Sequence, residues 1–428
     1  MIESILDLPL MVMADIDGNV FEHPELRMLG ATGRHHRAPR SGEIIDMPRG
    51  TDLYILPGRR PVGLNPATAS PEVLHAFDGQ PVFAVSAFLP PAFTSHLWTA
   101  FLRDSNAPAL PLYAYTTVGW DQGREQFVTT AVRVDPDPRQ DLDNYPDDGT
   151  EDVNARQAVA EHPDNRLIEH LAHCCMNYRC PAARNLFLGR YEAPLPTSRA
   201  CNSRCVGCIS LQEDPCIRAT QDRITFRPTV EEIVEVALPH LDNVPGAVVS
   251  FGQGCEGEPL TEGKLLEGAI SAIRKLTDRG TINLNTNGSR PEVMRRLFSV
   301  GLDSARISLN SAREDLYNRY FLPVDYTFKD VIRSMIIGSE MGKFVSINYF
   351  VFPGLTDEKD EIRALDRLIE EAGLDMIQWR NLNIDPDLYM DCLDWDGGDD
   401  CLGMLAVMAG IRQRHPQIRH GYFNPALK

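Results

Sequence analysis

Basic residues are in short supply in this chain: 42 Lys and Arg stand against 60 Asp and Glu, a formal net charge of −18. That balance repels phosphate backbones and speaks against broad nucleic-acid binding. Long apolar runs are missing too, so no segment is expected to span a bilayer. The chain opens Met1-Ile2-Glu3-Ser4-Ile5-Leu6-Asp7, acidic where an export signal is basic. No export signal is therefore expected, and a reducing cytoplasm is the expected setting. Cysteine is sparse, ten in 428 residues, and residues 1–173 have none. That scarcity does not fit a disulfide scaffold; free or metal-bound thiols are expected instead.

What is present divides the chain by texture. Residues 1–134 hold short apolar runs between turn signals, as in Leu10-Met11-Val12-Met13 before Asp17-Gly18. Asp-Gly between apolar stretches suits a hairpin, and the region is expected to be a β-rich N-terminal domain. Residues 135–152 hold eight acids against one base, Arg139. With three prolines, the stretch reads as a solvated acidic linker, taken as residues 135–164, on which the N-terminal domain is hinged. Residues 165–185 are expected to be a helical connector, because Leu167, Ile168, Leu171, Cys174, Cys175 and Tyr178 recur at helical spacing.

From about 190 to 383 strand and helix signals alternate. The strand candidates are Arg190–Arg199, Ala247–Gly252, Thr281–Asn285, Ala305–Asn310, Phe344–Phe352 and Met376–Asn381. Thr229 with Glu232 makes a capping box, Ser289 with Glu292 and Pro291 opens another helix, and Gly373 closes the stripe Ile362, Leu365, Leu368, Ile369, Ala372. Six strands with intervening helices imply a parallel sheet whose reactive groups sit on loops at the strand C-terminal ends. Residues 391–428 follow as a C-terminal segment.

Three cysteines fall together just after the first of these strands: Cys201-Asn202-Ser203-Arg204-Cys205-Val206-Gly207-Cys208. A closed zinc site takes four ligands, and the next cysteine, Cys216, does not continue the spacing. Three thiolates can hold three irons of a [4Fe–4S] cluster and leave the fourth iron open.

The spacing C-x3-C-x2-C resembles the signature of the radical S-adenosylmethionine (SAM) enzymes. Further segments agree in strand order. Gly254-Cys255-Glu256-Gly257-Glu258-Pro259 resembles the family's G-G-E-P segment, which contacts the SAM amino group. Here Glu256 stands where the family has its first Gly, while Gly257, Glu258 and Pro259 match. Asn285-Thr286-Asn287-Gly288 resembles the T-N-G turn. Arg306, Ser308 and Asn310 share one face of the fourth strand. That strand resembles the one that holds the ribose and carboxylate of SAM, a resemblance that implies ribose contacts for Ser308 and Asn310. Arg306 is expected at the SAM carboxylate or at a negative substrate group. Ser346 to Asp357 resembles the fifth strand, which implies that Asn348 and the backbone near 352–354 cradle the adenine.

The resemblance covers residues 186–390 and implies an α/β fold: a partial (β/α)6 radical SAM barrel carrying an additional β-rich N-terminal domain. It implies a [4Fe–4S] cluster on Cys201, Cys205 and Cys208 and SAM beside Gly257, Glu258, Asn285, Arg306, Ser308, Asn310 and Asn348. It implies an enzyme that cleaves SAM reductively and abstracts hydrogen from a substrate, with an electron donor such as flavodoxin or ferredoxin. A small metabolite or cofactor precursor fits the charge best, then a peptide or protein, then RNA. The reading of another class is a non-catalytic iron–sulfur or zinc-binding module. Cys174 and Cys175 are expected to pack, His170 and His173 to hold no metal, and Cys255 to pack rather than serve as a substrate-side thiol. One cluster is expected, and deletion of residues 1–150 is expected to spare it.

Overall fold

The computed structural model describes residues 4–398 and 401–428; the first three residues of the acidic start and two acids of the C-terminal segment lie outside the described residues. The N-terminal region is antiparallel, as expected of its short runs. Among the described residues, fourteen strands between Leu10 and Arg133 join one twisted sheet. Asp17-Gly18 closes the first hairpin, in which Ala14 pairs with Val20 and Gly18 takes φ +93°.

The core is a parallel sheet of seven strands in sequence order: β1 (Glu192–Pro194), β2 (Val248–Phe251), β3 (Thr281–Thr286), β4 (Ser304–Leu309), β5 (Phe344–Val351), β6 (Met376–Asn381) and β7 (Arg419–Gly421). Six were expected. The seventh comes from the C-terminal segment, which is part of the core sheet rather than an appendage. Period-2 patterning explains the arrangement. Ile282, Leu284, Ala305, Ile307, Leu309, Val345 and Ile347 belong to the main apolar core, which the helices help to build. Their alternates Asn283, Asn285, Ser304, Arg306, Ser308 and Asn348 turn to the concave side.

Helix ends follow local chemistry. Thr229 and Glu232 form the capping box of Val230–Asn243. Gly373, at φ +62°, ends Lys359–Ala372 in the left-handed conformation that glycine tolerates. Ser289 does not cap Pro291–Ser299; the N-cap is Arg290, and Ser289 is drawn instead into hydrogen bonds with Asn202.

The acidic segment is structured. Thr150–Glu161 is a helix. Glu151 is fully buried and pairs with Arg179 at 2.6 Å and Arg184 at 2.7 Å, while Asp135 accepts from the Tyr422 N–H at 2.9 Å. Arginines from neighbouring elements thus draw Glu151 out of solvent, and the backbone of the C-terminal tail covers Asp135. Nor does the N-terminal sheet hang on a hinge. Arg59 and Asp385, 0% and 1% exposed, form a 2.6 Å ion pair. Thr94 donates to the Trp379 carbonyl at 2.8 Å, and the Ser95 N–H to Asn381 at 2.8 Å.

Candidate functional site

The loop after β1 carries the three cysteines and is held by its backbone. Arg204 N–H donates to the Phe321 carbonyl at 3.1 Å, and Val206 N–H to that of Tyr320 at 3.0 Å. Gly207 lies under the Tyr320 hydroxyl; a Cβ there would come within 2.6 Å of that oxygen. The Gln212 amide donates to the carbonyls of Val206 at 3.1 Å and Cys208 at 2.7 Å. Of the three thiols, that of Cys208 faces the Arg223 guanidinium at 3.4 Å.

Cys201 is exposed as a residue, yet its thiol sits in a concavity with protein mass around it. Burial pushes it up to about 11, and the Glu258 carboxylate adds to the effect. Burial also pushes the Cys205 thiol well above its ordinary value, with Cys201 and Cys208 adding. Thiols so placed ionise when a metal centre compensates their charge. The spread of the sulfurs separates the metal readings. A single tetrahedral zinc would gather sulfurs to about 3.8 Å from one another. Among the described residues, the group whose ligand atoms all lie within 4.8 Å is His170, Cys174 and Cys255. Cys201, Cys205 and Cys208 are spread more widely than one ion requires, and the donor set suits a larger centre such as a cubane.

Beside the cysteines opens a cavity of about 350 Å³. It brings together Cys201, Cys205 and Cys208 with Gly257, Glu258, Asn285, Arg306, Ser308 and Asn348. Asn310 is not among its walls. It is fully buried just past β4, where its amide donates to the Leu316 carbonyl and the Tyr389 hydroxyl, each at 3.2 Å. The backbone at 352–354 is also committed elsewhere: the Pro353 carbonyl accepts from Gly33 N–H at 2.8 Å, and Gly354 N–H donates to Asp357 at 2.6 Å.

Three cavity-lining side chains keep a buried polar atom without a protein partner: Asn285 Nδ2, Arg306 Nε and Asn348 Oδ1. They come from three adjacent strands. Buried polar groups left in this way are costly unless a ligand or water meets them. The residues present therefore fit a polar ligand lying across the tips of β3, β4 and β5. Arg306 donates to the Gln378 side chain at 2.9 Å; burial and the nearby Arg380 charge lower its guanidinium to about 9.

The loop after β2 is pressed against the cysteine loop. Gly257 N–H donates to the Ser198 carbonyl at 2.7 Å, and Glu258 N–H to that of Ala200 at 2.8 Å. A Cβ on Gly257 would meet the Ala200 oxygen at 2.0 Å, so only glycine allows this approach. Glu258 is held by Asn287 N–H at 2.8 Å, Leu260 N–H at 3.0 Å and the Thr286 hydroxyl, and burial pushes its carboxyl up to about 7.

Four contributors escaped the sequence reading. Glu256 binds the Thr197, Ser198, Gly252 and Gln253 N–H groups between 2.6 and 3.0 Å. Arg380 lines the cavity, and Gln378 holds Arg306. Asn424, from the C-terminal tail, closes the barrel floor by donating to Glu192 at 2.7 Å and accepting from Gln378 at 3.0 Å. Period-2 alternation with Trp379 and Ile377 could have found Gln378 and Arg380; nothing local marks Asn424.

Residues 195–365 match the family model of the Radical SAM superfamily. These residues carry a radical SAM domain; members of that superfamily are enzymes whose cofactors are a [4Fe–4S] cluster and SAM. Among curated proteins none matches the sequence. Similar solved structures include HydG, a maturase of the [FeFe]-hydrogenase (18% identity, TM-score 0.38, covering 63% of this chain and 66% of that one). They also include the methylornithine synthase PylB (15%, 0.39, 62% and 74%). SuiB of Streptococcus suis bound to SAM is a third (14%, 0.39, 74% and 71%). The chain thus spans just under two thirds of the hydrogenase maturase. Among the described residues no helix is long and apolar enough to cross a membrane.

Proposed function

We propose that this chain holds a [4Fe–4S] cluster on Cys201, Cys205 and Cys208, cleaves SAM reductively beside it, and abstracts hydrogen from a small anionic metabolite or cofactor precursor. The observation that carries this reading is that Asn285, Arg306 and Asn348, each holding a buried polar atom without a protein partner, line one cavity with the three cysteines. Bound together, the cluster and SAM supply an electron-driven break of the sulfonium C–S bond and a radical able to abstract hydrogen.

The chain's own residues then bind and orient. Gly257 and Glu258 receive the SAM ammonium, with the Glu258 carboxylate as counter-charge. Ser308, Asn285 and Asn348 meet ribose hydroxyls and the base. Arg306 and Arg380 give the cavity wall two positive charges, one for the SAM carboxylate and one for an anionic group of the substrate. The division into a β region at 1–134 and a core that starts at 186 and takes in the C-terminal strand Arg419–Gly421 belongs to this proposal. So do a cytoplasmic setting and a one-electron donor such as flavodoxin or ferredoxin.

The test is anaerobic incubation of the reduced, reconstituted protein with SAM and fractions of a deuterium-labelled cell extract. Deuterium in 5′-deoxyadenosine, from fractions retained by an anion exchanger, is the expected result. Failure to cleave SAM with any fraction would leave the non-catalytic module as the better reading.

A further inference from the structure

His170, Cys174 and Cys255 come from two segments that no shared motif joins. His170 and Cys174 stand four residues apart on the helix Arg166–Tyr178 and so face the same side. Asn165 caps that helix, and buried Leu167, Ile168 and Leu171 fix its rotation. Cys255 comes from the loop after β2, one residue before Glu256. The three ligand atoms all lie within 4.8 Å of one another, with His170 Nε2 at 3.7 Å from Cys174 Sγ. Tetrahedral zinc at ordinary bond lengths sets N···S at about 3.5 Å and S···S at about 3.8 Å. Both cysteines are buried in a shell of Ala155, Ala172 and Ala183, against which Cys180 also packs.

We propose that His170, Cys174 and Cys255 supply three of the four ligands of a zinc ion, a water molecule taking the fourth position, and that the ion staples this helix to the loop after β2. Two sulfurs and one imidazole are a donor set that suits zinc, whereas a cation that seeks carboxylates finds none in this group among the described residues. Two thiolates balance the charge of the ion, so the site can be buried without a net charge. Binding releases the two thiol protons. The staple would hold the stretch Glu256-Gly257-Glu258 through its neighbour Cys255. The site would thus support the SAM-binding edge without touching the ligand.

The test uses the full-length protein purified anaerobically, with zinc and iron counted per chain, followed by exchange with cobalt(II). One zinc per chain is expected, both in the wild type and in a variant with Cys201, Cys205 and Cys208 all changed to Ala. Cysteine 255 and histidine 170 variants, C255S and H170A, should lose it. The cobalt protein should show the visible bands of a tetrahedral thiolate site, and these should vanish in C255S. Three results would overturn the proposal: wild-type protein without zinc, a Cys174–Cys255 disulfide found by mass spectrometry, or iron bound at this site in the triple variant. If C255S fails to fold, the zinc count and cobalt spectrum of the wild type still decide.

Discussion

Glu256 accepts a 2.7 Å hydrogen bond from the Thr197 backbone N–H, and through it the loop after β2 clasps the loop that carries the cysteines. The same carboxylate also takes Ser198, Gly252 and Gln253 N–H groups, so one side chain serves four backbone donors, those of Thr197 and Ser198 fully buried. This residue occupies the place where the G-G-E-P pattern has glycine. The departure from the pattern is therefore a structural substitution with a role of its own.

Changing Glu256 to Ala or Gly should cost stability. Each buried N–H left unpaired costs about 1–3 kcal/mol, and a combined loss of about 3 kcal/mol or more is expected after water fills part of the gap. Glu256→Gln, which keeps one acceptor oxygen, should lose less. Urea unfolding measures the difference. Wild-type stability in the Ala variant would show that the clasp is redundant.

The polar face of β4 was legible because Arg306 and Ser308 alternate with Ile307 and Leu309, and a period of 2 does not depend on distant contacts. The cysteine spacing and Gly257-Glu258-Pro259 were legible for a similar reason, since each is local in the chain. Asn310 was misplaced because the strand ends at Leu309; past that point alternation no longer sets direction, and Tyr389 captures its amide. Asn424 could not be read at all, and Cys255 could be read only as a packing thiol. Their roles depend on groups far away in sequence, Glu192 and Gln378 for one and His170 and Cys174 for the other. The acidic run from Asp135 misled because its arginine partners, such as Arg179 and Arg184, lie outside it.

Glu258 carries a pH dependence whose sign can be worked out. Burial holds its carboxyl at about 7, above the ordinary 4.5. Between those values the folded chain keeps a proton that the unfolded chain has lost. Stability from this group is therefore fully present below about 4.5, falls as pH rises to about 7, and then levels off, with a slope of at most about 1.4 kcal/mol per pH unit. Glu258→Gln should flatten that part of the profile in urea unfolding from about pH 5 to 8. An ammonium beside Glu258 favours the ionised form, so SAM affinity should rise with pH through about 7 in the wild type and not in the variant. Parallel affinity profiles in the two proteins would remove Glu258 from the ammonium site.

Asn424 tests whether the C-terminal tail belongs to the barrel. Its amide joins Glu192 of β1 to Gln378 of β6, across the open side of the sheet. Asn424→Ala leaves both without that partner, and a loss of about 2 kcal/mol is expected. Because Gln378 also positions Arg306, the variant should bind SAM more weakly while keeping its iron. Thermal unfolding, SAM titration and iron analysis together check this. An unchanged melting curve would mean that water replaces Asn424 without penalty.

Arg59 and Asp385 bear on the independence of the N-terminal region. Both are fully buried, 2.6 Å apart. Arg59 also donates to the carbonyls of Pro57 and Pro108, and Asp385 accepts from Leu110 N–H while capping the helix Pro386–Leu393. Removing one partner strands a buried charge, which costs about 3–5 kcal/mol. Arg59→Ala should therefore lower the unfolding midpoint sharply and as a single transition. Deletion of residues 1–150 goes further, since it removes Arg59 together with Thr94 and Ser95, which bind Trp379 and Asn381 on β6. The truncated chain should aggregate or melt without cooperativity, taking the cysteine loop with it. A soluble truncated protein with full iron content and a cooperative melt would restore the hinged arrangement that the acidic linker suggested.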